Sequence, residues 1–174
     1  LELKPIKLKK DTWGGFLYWE VDFSSFKEEG QYVLKGKKSG TVSTPFLISH
    51  NAYAGYQETL LEFMRQQRCG YNPTLDMVCH QKDGRAFFGP MPDSTFVDLS
   101  GGWHDAGDQL KYLITSSYAT AHMLMAYEMY PDRFEDKVNA LGQPGANGIP
   151  DILDEVKWGL DWIHKMHPAP DQLF

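Results

Sequence analysis

The spacing of apolar residues changes near residue 50, and this change limits the folds open to the chain. Residues 17–23 alternate apolar and polar side chains, which is the pattern of a half-buried strand. After residue 50, apolar residues recur every three or four positions, which is the pattern of an amphipathic helix. The sequence therefore predicts a β-region over residues 1–50 and a mainly α region over residues 51–174.

The β-region has the pattern of an incomplete sheet. Residues 31–35 and 45–49 flank a Gly-Lys-Lys-Ser-Gly turn, which predicts a hairpin. Two or three strands cannot bury both faces of a sheet. We therefore interpret residues 1–50 as the C-terminal part of a larger β-sandwich.

Three helices are predicted in the α region. The first begins with Asn51 as its N-cap and ends before Gly70, the second runs from about Gln109 to Tyr130, and the third runs from Pro150 to about Met166. The apolar stripes are broad enough to need neighbours on both sides, so we expect an unfinished helical bundle. In the third helix the predicted core face is Ile149, Leu153, Val156, Leu160 and Ile163, and the predicted solvent face is Asp154, Lys157, Asp161 and Lys165.

Residues 101–108 read Gly-Gly-Trp-His-Asp-Ala-Gly-Asp, a composition that suits neither a helix nor a strand. A bend at Gly107 would direct the Asp105 and Asp108 carboxylates into one cavity, where they could hold and deprotonate a water molecule. Asp108 falls at the expected start of the second helix, where the helix N-terminus would favour a negative charge. The alternative is structural: Asp108 is the N-cap of that helix and Asp105 forms a turn.

Two cysteines and two histidines form a second candidate site. Cys69, Cys79, His80 and His104 are the donor set of a tetrahedral structural zinc ion, which would leave no open position for catalysis. Their spacing is irregular. A disulfide between Cys69 and Cys79, with both histidines on the surface, is the alternative.

Composition excludes some partners. The formal net charge of −6 argues against nucleic-acid binding, which usually requires a basic patch. No run of 18 apolar residues is present, so we expect no membrane span. The first residues do not resemble a signal peptide, so we expect that export is not needed or that its signal is removed or lies elsewhere.

Residues 101–108, followed by Lys111 and Tyr112, resemble the signature near the start of the catalytic domain of glycoside hydrolase family 9, the (α/α)6-barrel cellulases. Three further stretches are similar to that family: residues 66–70, 97–100 and 147–162. Residues 22–25 and 30–32 resemble the last strands of the immunoglobulin-like domain that precedes the barrel in many members.

The resemblance implies the fold, the domains and the chemistry. Residues 1–50 would be the C-terminal part of an immunoglobulin-like sandwich, and residues 51–174 the first helices of an (α/α)6 barrel, both belonging to an incomplete fragment. Asp108 matches the family's catalytic base and Asp105 its water-holding companion in an inverting hydrolysis of β-1,4-glucans. The Cys, Cys-His and His pattern matches a structural zinc site found in some members. The resemblance also allows calcium in the longer enzyme, but these 174 residues contain no signal for it.

The family's catalytic acid is a glutamate that none of the fragment's glutamates matches, so we expect the 174 residues alone to be inactive. The glutamates compared are Glu58, Glu62, Glu128, Glu135 and Glu155. A non-catalytic carbohydrate-binding or structural module is the alternative function. Zinc-dependent hydrolysis is disfavoured because four protein ligands would close the metal's coordination shell.

The remaining expectations concern partners and location. We expect β-glucan as substrate, the rest of the barrel or another chain over the exposed helix faces, and a secreted, periplasmic or cell-surface location of bacterial type. Aromatic side chains near the motif could stack on sugar rings, although most are expected to pack in the core. They are Trp103, Tyr112, Trp158 and Trp162.

Overall fold

The computed structural model describes residues 2–4, 6–7, 18–82 and 84–174. The chain divides into two compact units, Leu1–Ala54 and Gly55–Phe174. In the first unit, strand β1 (Ile6–Lys7) pairs antiparallel with β2 (Trp19–Glu20). The strand expected over residues 17–23 is therefore shorter within the described residues, and Leu17 lies outside them.

The predicted hairpin of the first unit is confirmed. Strand β3 (Gly30–Tyr32) pairs antiparallel with β4 (Phe46–Ile48), and Gln31 lies opposite Leu47. The turn between the strands is closed by a 2.8 Å hydrogen bond that the Gly36 amide donates to the Thr41 carbonyl.

The second unit contains three α-helices among its described residues, and α3 packs against both α1 and α2. Most of the buried apolar side chains among the described residues lie on α3, namely Ile152, Val156, Trp162 and Met166. None of the described helices is long and apolar enough to cross a membrane. The elements are α1 (Tyr56–Gln66), the strand pair β5 (Tyr71–Asn72) and β6 (Met77–Val78), the strand pair β7 (Arg85–Ala86) and β8 (Thr95–Phe96), α2 (Leu113–Met129), a 3-10 turn (Pro131–Arg133) and α3 (Asp151–Met166).

The third helix begins and ends where the sequence predicts, but the first two begin later. Asn51 is not an N-cap, because a turn over residues 51–54 and a left-handed Gly55 (φ 85°) precede α1. Gln109 also has a left-handed backbone (φ 62°), so α2 starts at Leu113. Left-handed residues interrupt helical geometry, and periodicity alone does not reveal them.

The predicted faces of α3 are wrong in part. Ile149 and Leu160 are exposed, whereas Asp154 is buried together with Asp151 and Glu155. Each buried carboxylate has hydrogen-bond donors that the helical pattern does not reveal. Asp151 Oδ1, for example, accepts hydrogen bonds from the backbone amides of residues 137 and 138 at 2.9 and 3.0 Å.

Small side chains allow α2 and α3 to approach closely. Ser116 and Thr120 are the buried residues of α2, and Thr120 faces the part of α3 that contains Gly159. A Cβ atom on Gly159 would lie 2.5 Å from Thr120 Oγ1 and 2.3 Å from Cη2 of Trp103. Gly159 is therefore required by packing.

The outer faces of α1 and α2 are apolar and exposed. Ile114 and Tyr118 of α2 are 79% and 67% exposed, and Leu60 and Phe63 of α1 are also exposed. These side chains pack little in the described residues. Exposed apolar patches of this kind are typical of surfaces that bind a protein, a membrane or a ligand.

Gly159→Ala tests the packing requirement. An alanine in an open helix site would stabilise the fold by about 1 kcal/mol relative to glycine. Here the added methyl group overlaps Trp103 and Thr120, so we expect destabilisation by about 1–3 kcal/mol. Urea unfolding measures the change. Gly107→Ala, where a Cβ meets no atom within 4 Å, is the control, and a stabilised Gly159→Ala would contradict the packing argument.

Candidate active site and metal centre

A short antiparallel contact joins the end of α1 to the Gly-Gly-Trp-His motif. Arg68 and Trp103 are bridge partners. On either side, the Cys69 amide donates to the Gly102 carbonyl at 2.9 Å and the His104 amide donates to the Gln67 carbonyl at 2.8 Å. The loop that contains Asp105 and Asp108 is thereby fixed to α1 at its N-terminal end.

The two glycines of the motif are required by backbone geometry and by packing. Gly101 and Gly102 have φ values of 109° and 66°, which L-residues rarely adopt. A Cβ atom on Gly102 would lie 2.6 Å from Cδ2 of Trp162. The absence of a side chain at Gly101 and Gly102 allows the Trp162 ring to pack directly against this backbone.

The predicted metal ligands come together. The candidate ligand atoms of Cys69, Cys79, His80 and His104 all lie within 4.8 Å of one another. His104 Nε2 lies 3.3 Å from His80 Nδ1 and 4.0 Å from Cys79 Sγ. Two nitrogens bound at about 2.0–2.1 Å to one tetrahedral zinc ion would lie about 3.3–3.4 Å apart, so the arrangement has the size of a zinc site.

The chemistry of this cluster also fits a cation. Both cysteines are free thiols, so the structure contains no disulfide between Cys69 and Cys79. Burial lowers the pKa of His104, with a smaller contribution from nearby His80, and this favours the neutral imidazole that binds metals. Burial raises the pKa of the Cys79 thiol, and a bound cation would offset this effect by stabilising the thiolate.

Asp105 and Asp108 lie in one exposed turn. The Asp105 amide donates to the Leu110 carbonyl at 2.8 Å, and the Leu110 amide donates to Asp108 Oδ1 at 3.1 Å. The turn is closed by a hydrogen bond from the Gln109 amide to the Ala106 carbonyl. Both carboxylates face solvent.

The predicted relation between Asp108 and α2 is wrong. The helix begins at Leu113, and Tyr112 occupies its N-cap position without a side-chain cap. Asp108 is therefore neither the N-cap of α2 nor a neighbour of its first turn. Its carboxylate instead orders the backbone around Gln109, whose left-handed conformation separates the turn from the helix.

A lysine holds the C-terminal side of the loop. Lys111 Nζ donates to the Leu99 carbonyl and, at 2.9 Å, to the Gly101 carbonyl, and it lies 5.0 Å from the Trp162 ring centroid. This role of Lys111 is not evident from the sequence. The one sequence signal for this contact is the position of Lys111 just after the motif.

The tryptophans contribute to internal packing, as expected. Two of them, Trp158 and Trp162, also donate hydrogen bonds to backbone carbonyls in and next to the motif loop. Trp158 Nε1 donates to the Gly102 carbonyl at 3.0 Å, and Trp162 Nε1 donates to the Leu99 carbonyl at 3.2 Å. Trp103 is buried against α3. Tyr112 is partly exposed and remains a candidate for contact with a sugar.

A buried ionic cluster that the sequence analysis missed lies behind the motif. Glu155 and Arg68 are 0% and 1% exposed. Arg68 Nη2 donates to Glu155 Oε2 at 2.8 Å, Arg68 Nε donates to Oε1 at 3.2 Å, and Trp103 Nε1 donates to Oε1 at 2.7 Å. We call these three residues the Glu155 cluster. The available signal in the sequence was a glutamate three residues after Ile152 and directly before Val156, and therefore on their side of the helix.

Residues 53–174 match the sequence model of glycosyl hydrolase family 9, and the chain belongs to this family. Endoglucanase D of Acetivibrio thermocellus is 34% identical over 154 residues, which cover 84% of this chain and 24% of that protein. A xyloglucan-specific endo-β-1,4-glucanase of Bacteroides ovatus is 28% identical over 181 residues, which cover 97% of this chain and 30% of that protein.

The fold agrees with this assignment. The crystal structure of a metagenome-derived family 9 endoglucanase is similar, with a TM-score of 0.73 and 36% identity, covering 89% of this chain and 29% of that chain. This chain therefore spans less than a third of the length of each of these relatives. The predicted membership of glycoside hydrolase family 9 is confirmed.

Asp98, which leads into the motif, makes stability depend on pH. Its hydrogen bonds from Ser100, and then from Lys165, lower its pKa from 3.8 to about 2. A lowered pKa contributes stability that is fully present above pH 3.8 and is lost as the pH falls through about 2. Asp98→Asn removes this contribution, which we expect to be below about 1 kcal/mol because the carboxylate is half exposed.

The measurement is urea unfolding between pH 7 and pH 2. The difference between the wild type and Asp98→Asn should be largest above about pH 4 and should shrink towards pH 2. Glu62→Gln, a neutralised exposed carboxylate on α1, is the control for the general effect of charge. A difference that grows as the pH falls would contradict the assignment.

Proposed function

We propose that this chain carries the general-base half of the active site of an inverting endo-β-1,4-glucanase. The observation that carries the proposal is the placement of Asp105 and Asp108 in one solvent-facing turn that is fixed to a buried framework. Asp108 is the base and Asp105 the residue that helps hold the attacking water. Family membership and the endoglucanase relatives support the substrate class.

The geometry suits activation of a water molecule. The Leu110 amide occupies Oδ1 of Asp108, and Oδ2 has no donor within the described parts of the chain. Asp108 can therefore accept a proton from water at Oδ2 while the amide holds the carboxylate in place. The nucleophilic water would attack the anomeric carbon from the face opposite the leaving group.

The partner acid lies outside the 174 residues in this proposal. Inverting glycosidases need a protonated carboxylic acid about 6.5–9.5 Å from the base. Glu155 cannot fill that role, because it is fully buried and occupied by Arg68 and Trp103. We propose that the rest of an (α/α)6 barrel supplies the acid and covers the apolar outer faces of α1 and α2.

A structural zinc ion is part of the proposal. Cys69, Cys79, His80 and His104 would hold it with four protein ligands, so it would supply no open position for chemistry. Its effect would be to join the end of α1 and the segment around residue 80 to the residue immediately before Asp105.

Residues 1–54 and the location complete the proposal. The hairpin β3–β4 and the pair β1–β2 are consistent with the last strands of an immunoglobulin-like sandwich. A polymeric β-glucan is met outside the cytoplasm, so we propose a secreted, periplasmic or cell-surface protein.

Asp108→Asn tests the catalytic assignment in a polypeptide that includes the complete barrel. We expect kcat to fall by about 10²–10⁴ on β-1,4-glucan, because general-base catalysis contributes that much, with the circular dichroism spectrum unchanged. Asp161→Asn on the exposed face of α3 should retain full activity.

Two outcomes would contradict the proposal. Near-normal turnover by Asp108→Asn would remove Asp108 from the mechanism. Absence of all hydrolysis in the complete wild-type polypeptide, with retained binding to cello-oligosaccharides, would identify the protein as a non-catalytic carbohydrate-binding module. NMR of the first-formed anomer checks inversion.

Metal analysis tests the zinc assignment. We expect one zinc ion per chain, and a lower melting temperature after removal by a strong chelator, because metal binding contributes to folding. Cys79→Ser should abolish stoichiometric zinc, whereas Ser94→Ala in the β7–β8 loop should not. A metal-free wild type with no titratable thiols would favour the disulfide instead.

A further inference from the structure

We infer that Glu155 is a positioning residue for the metal centre: through Arg68 and Trp103 it fixes the register in which Cys69 and His104 are presented. The inference rests on the proposed metal centre. It assigns a function to a carboxylate that is fully buried and that plays no part in the proposed hydrolysis.

The argument begins with sequence adjacency. Arg68 immediately precedes Cys69, and Trp103 immediately precedes His104. Arg68 and Trp103 are also partners across the antiparallel bridge. The single carboxylate of Glu155 therefore binds both segments of the bridge. It does so at the residues next to two of the four candidate ligands.

The alternation of side chains gives this contact its effect. Successive side chains of paired extended segments point to opposite faces. Arg68 and Trp103 share the face towards Glu155, so Cys69 and His104 share the opposite face, and their candidate ligand atoms do lie together there. A slip of one residue would turn one ligand away from the other.

The bridge itself is too short to prevent such a slip. It consists of one residue pair with flanking backbone hydrogen bonds, and the glycines at 101 and 102 favour no single extended conformation. Glu155 adds a constraint that acts on both segments at once, because its two oxygens accept three hydrogen bonds from the side chains of Arg68 and Trp103.

Burial makes the constraint specific. The charge of Glu155 is removed from water, so breaking these hydrogen bonds would leave a buried carboxylate with only the ion pair to Arg65 at 3.8 Å. The arginine fork matches the two oxygens only in one orientation. The register with Arg68 opposite Trp103 is therefore the one in which the Glu155 oxygens are fully paired.

The experiment measures metal binding and not catalysis. The purified chain is stripped of metal and titrated with Co²⁺ against a competing chelator, and the visible ligand-field spectrum is recorded. The free energy of unfolding of each metal-free form is measured in parallel, so that loss of fold is separated from loss of affinity.

The variants isolate the cluster. Trp103→Phe removes one hydrogen bond to Glu155 while keeping an aromatic ring, and Glu155→Gln removes the charge at nearly constant shape. We expect both to weaken Co²⁺ binding, Glu155→Gln by about 10–100-fold, as for other residues that orient metal ligands, with an altered ligand-field spectrum. The double variant should bind no more weakly than Glu155→Gln alone.

Asp161→Asn is the matched control, because Asp161 is a carboxylate of the same helix whose described partner is the exposed Lys157. It should bind Co²⁺ as the wild type does. If Glu155→Gln fails to fold, Trp103→Phe decides the question alone.

Wild-type affinity and spectrum in a folded Trp103→Phe or Glu155→Gln would overturn the inference, even if that variant is less stable. A wild-type chain that binds no Co²⁺ would instead remove the proposed metal centre, and this inference with it. The two failures are distinguishable because only the second affects the wild type.

Discussion

An arginine and a glutamate that are both withdrawn from water determine much of the second unit. Transfer of either charge to the interior alone would be strongly unfavourable, and their attraction offsets this cost only with good geometry and further hydrogen bonds. Both conditions are met, since Arg68 reaches both oxygens of Glu155 and Trp103 adds a third donor. The pairing requires α3, the end of α1 and the motif loop to be in place together, so three distant segments depend on one contact.

The candidate active site is held from its buried side. Asp105 and Asp108 face solvent, while the residues that fix their loop are buried or packed behind it. Trp158 and Trp162 donate hydrogen bonds to the carbonyls of Gly102 and Leu99, and Lys111 donates to the Leu99 carbonyl as well and to that of Gly101. The two carboxylates are thus accessible while the backbone beneath them is fixed, which is the arrangement that the proposed catalysis would require.

The sequence predicted what depends on local pattern. The hairpin around residues 36–40, the bounds of α3 and the grouping of Cys69 with His104 followed from turn residues, helical periodicity and ligand chemistry. The start of α2 did not, because the left-handed Gln109 is stabilised by the Asp108 side chain and not by its own identity. The burial of Asp154 and Glu155 could not be predicted either, since their partners lie elsewhere in the chain: Asn147 for Asp154, and Arg68 and Trp103 for Glu155.

The dependence of the motif loop on α3 also affects how the chain acquires its structure during synthesis. Trp103 and Glu155 are 52 residues apart, and Glu155 is made last. At about 5–20 residues per second, translation leaves the motif outside the ribosome without this partner for roughly 3–10 s. Over that interval the Cys69 and Cys79 thiols lack the packing of the finished unit, so a nascent chain is more exposed to oxidation or mispairing than the completed one.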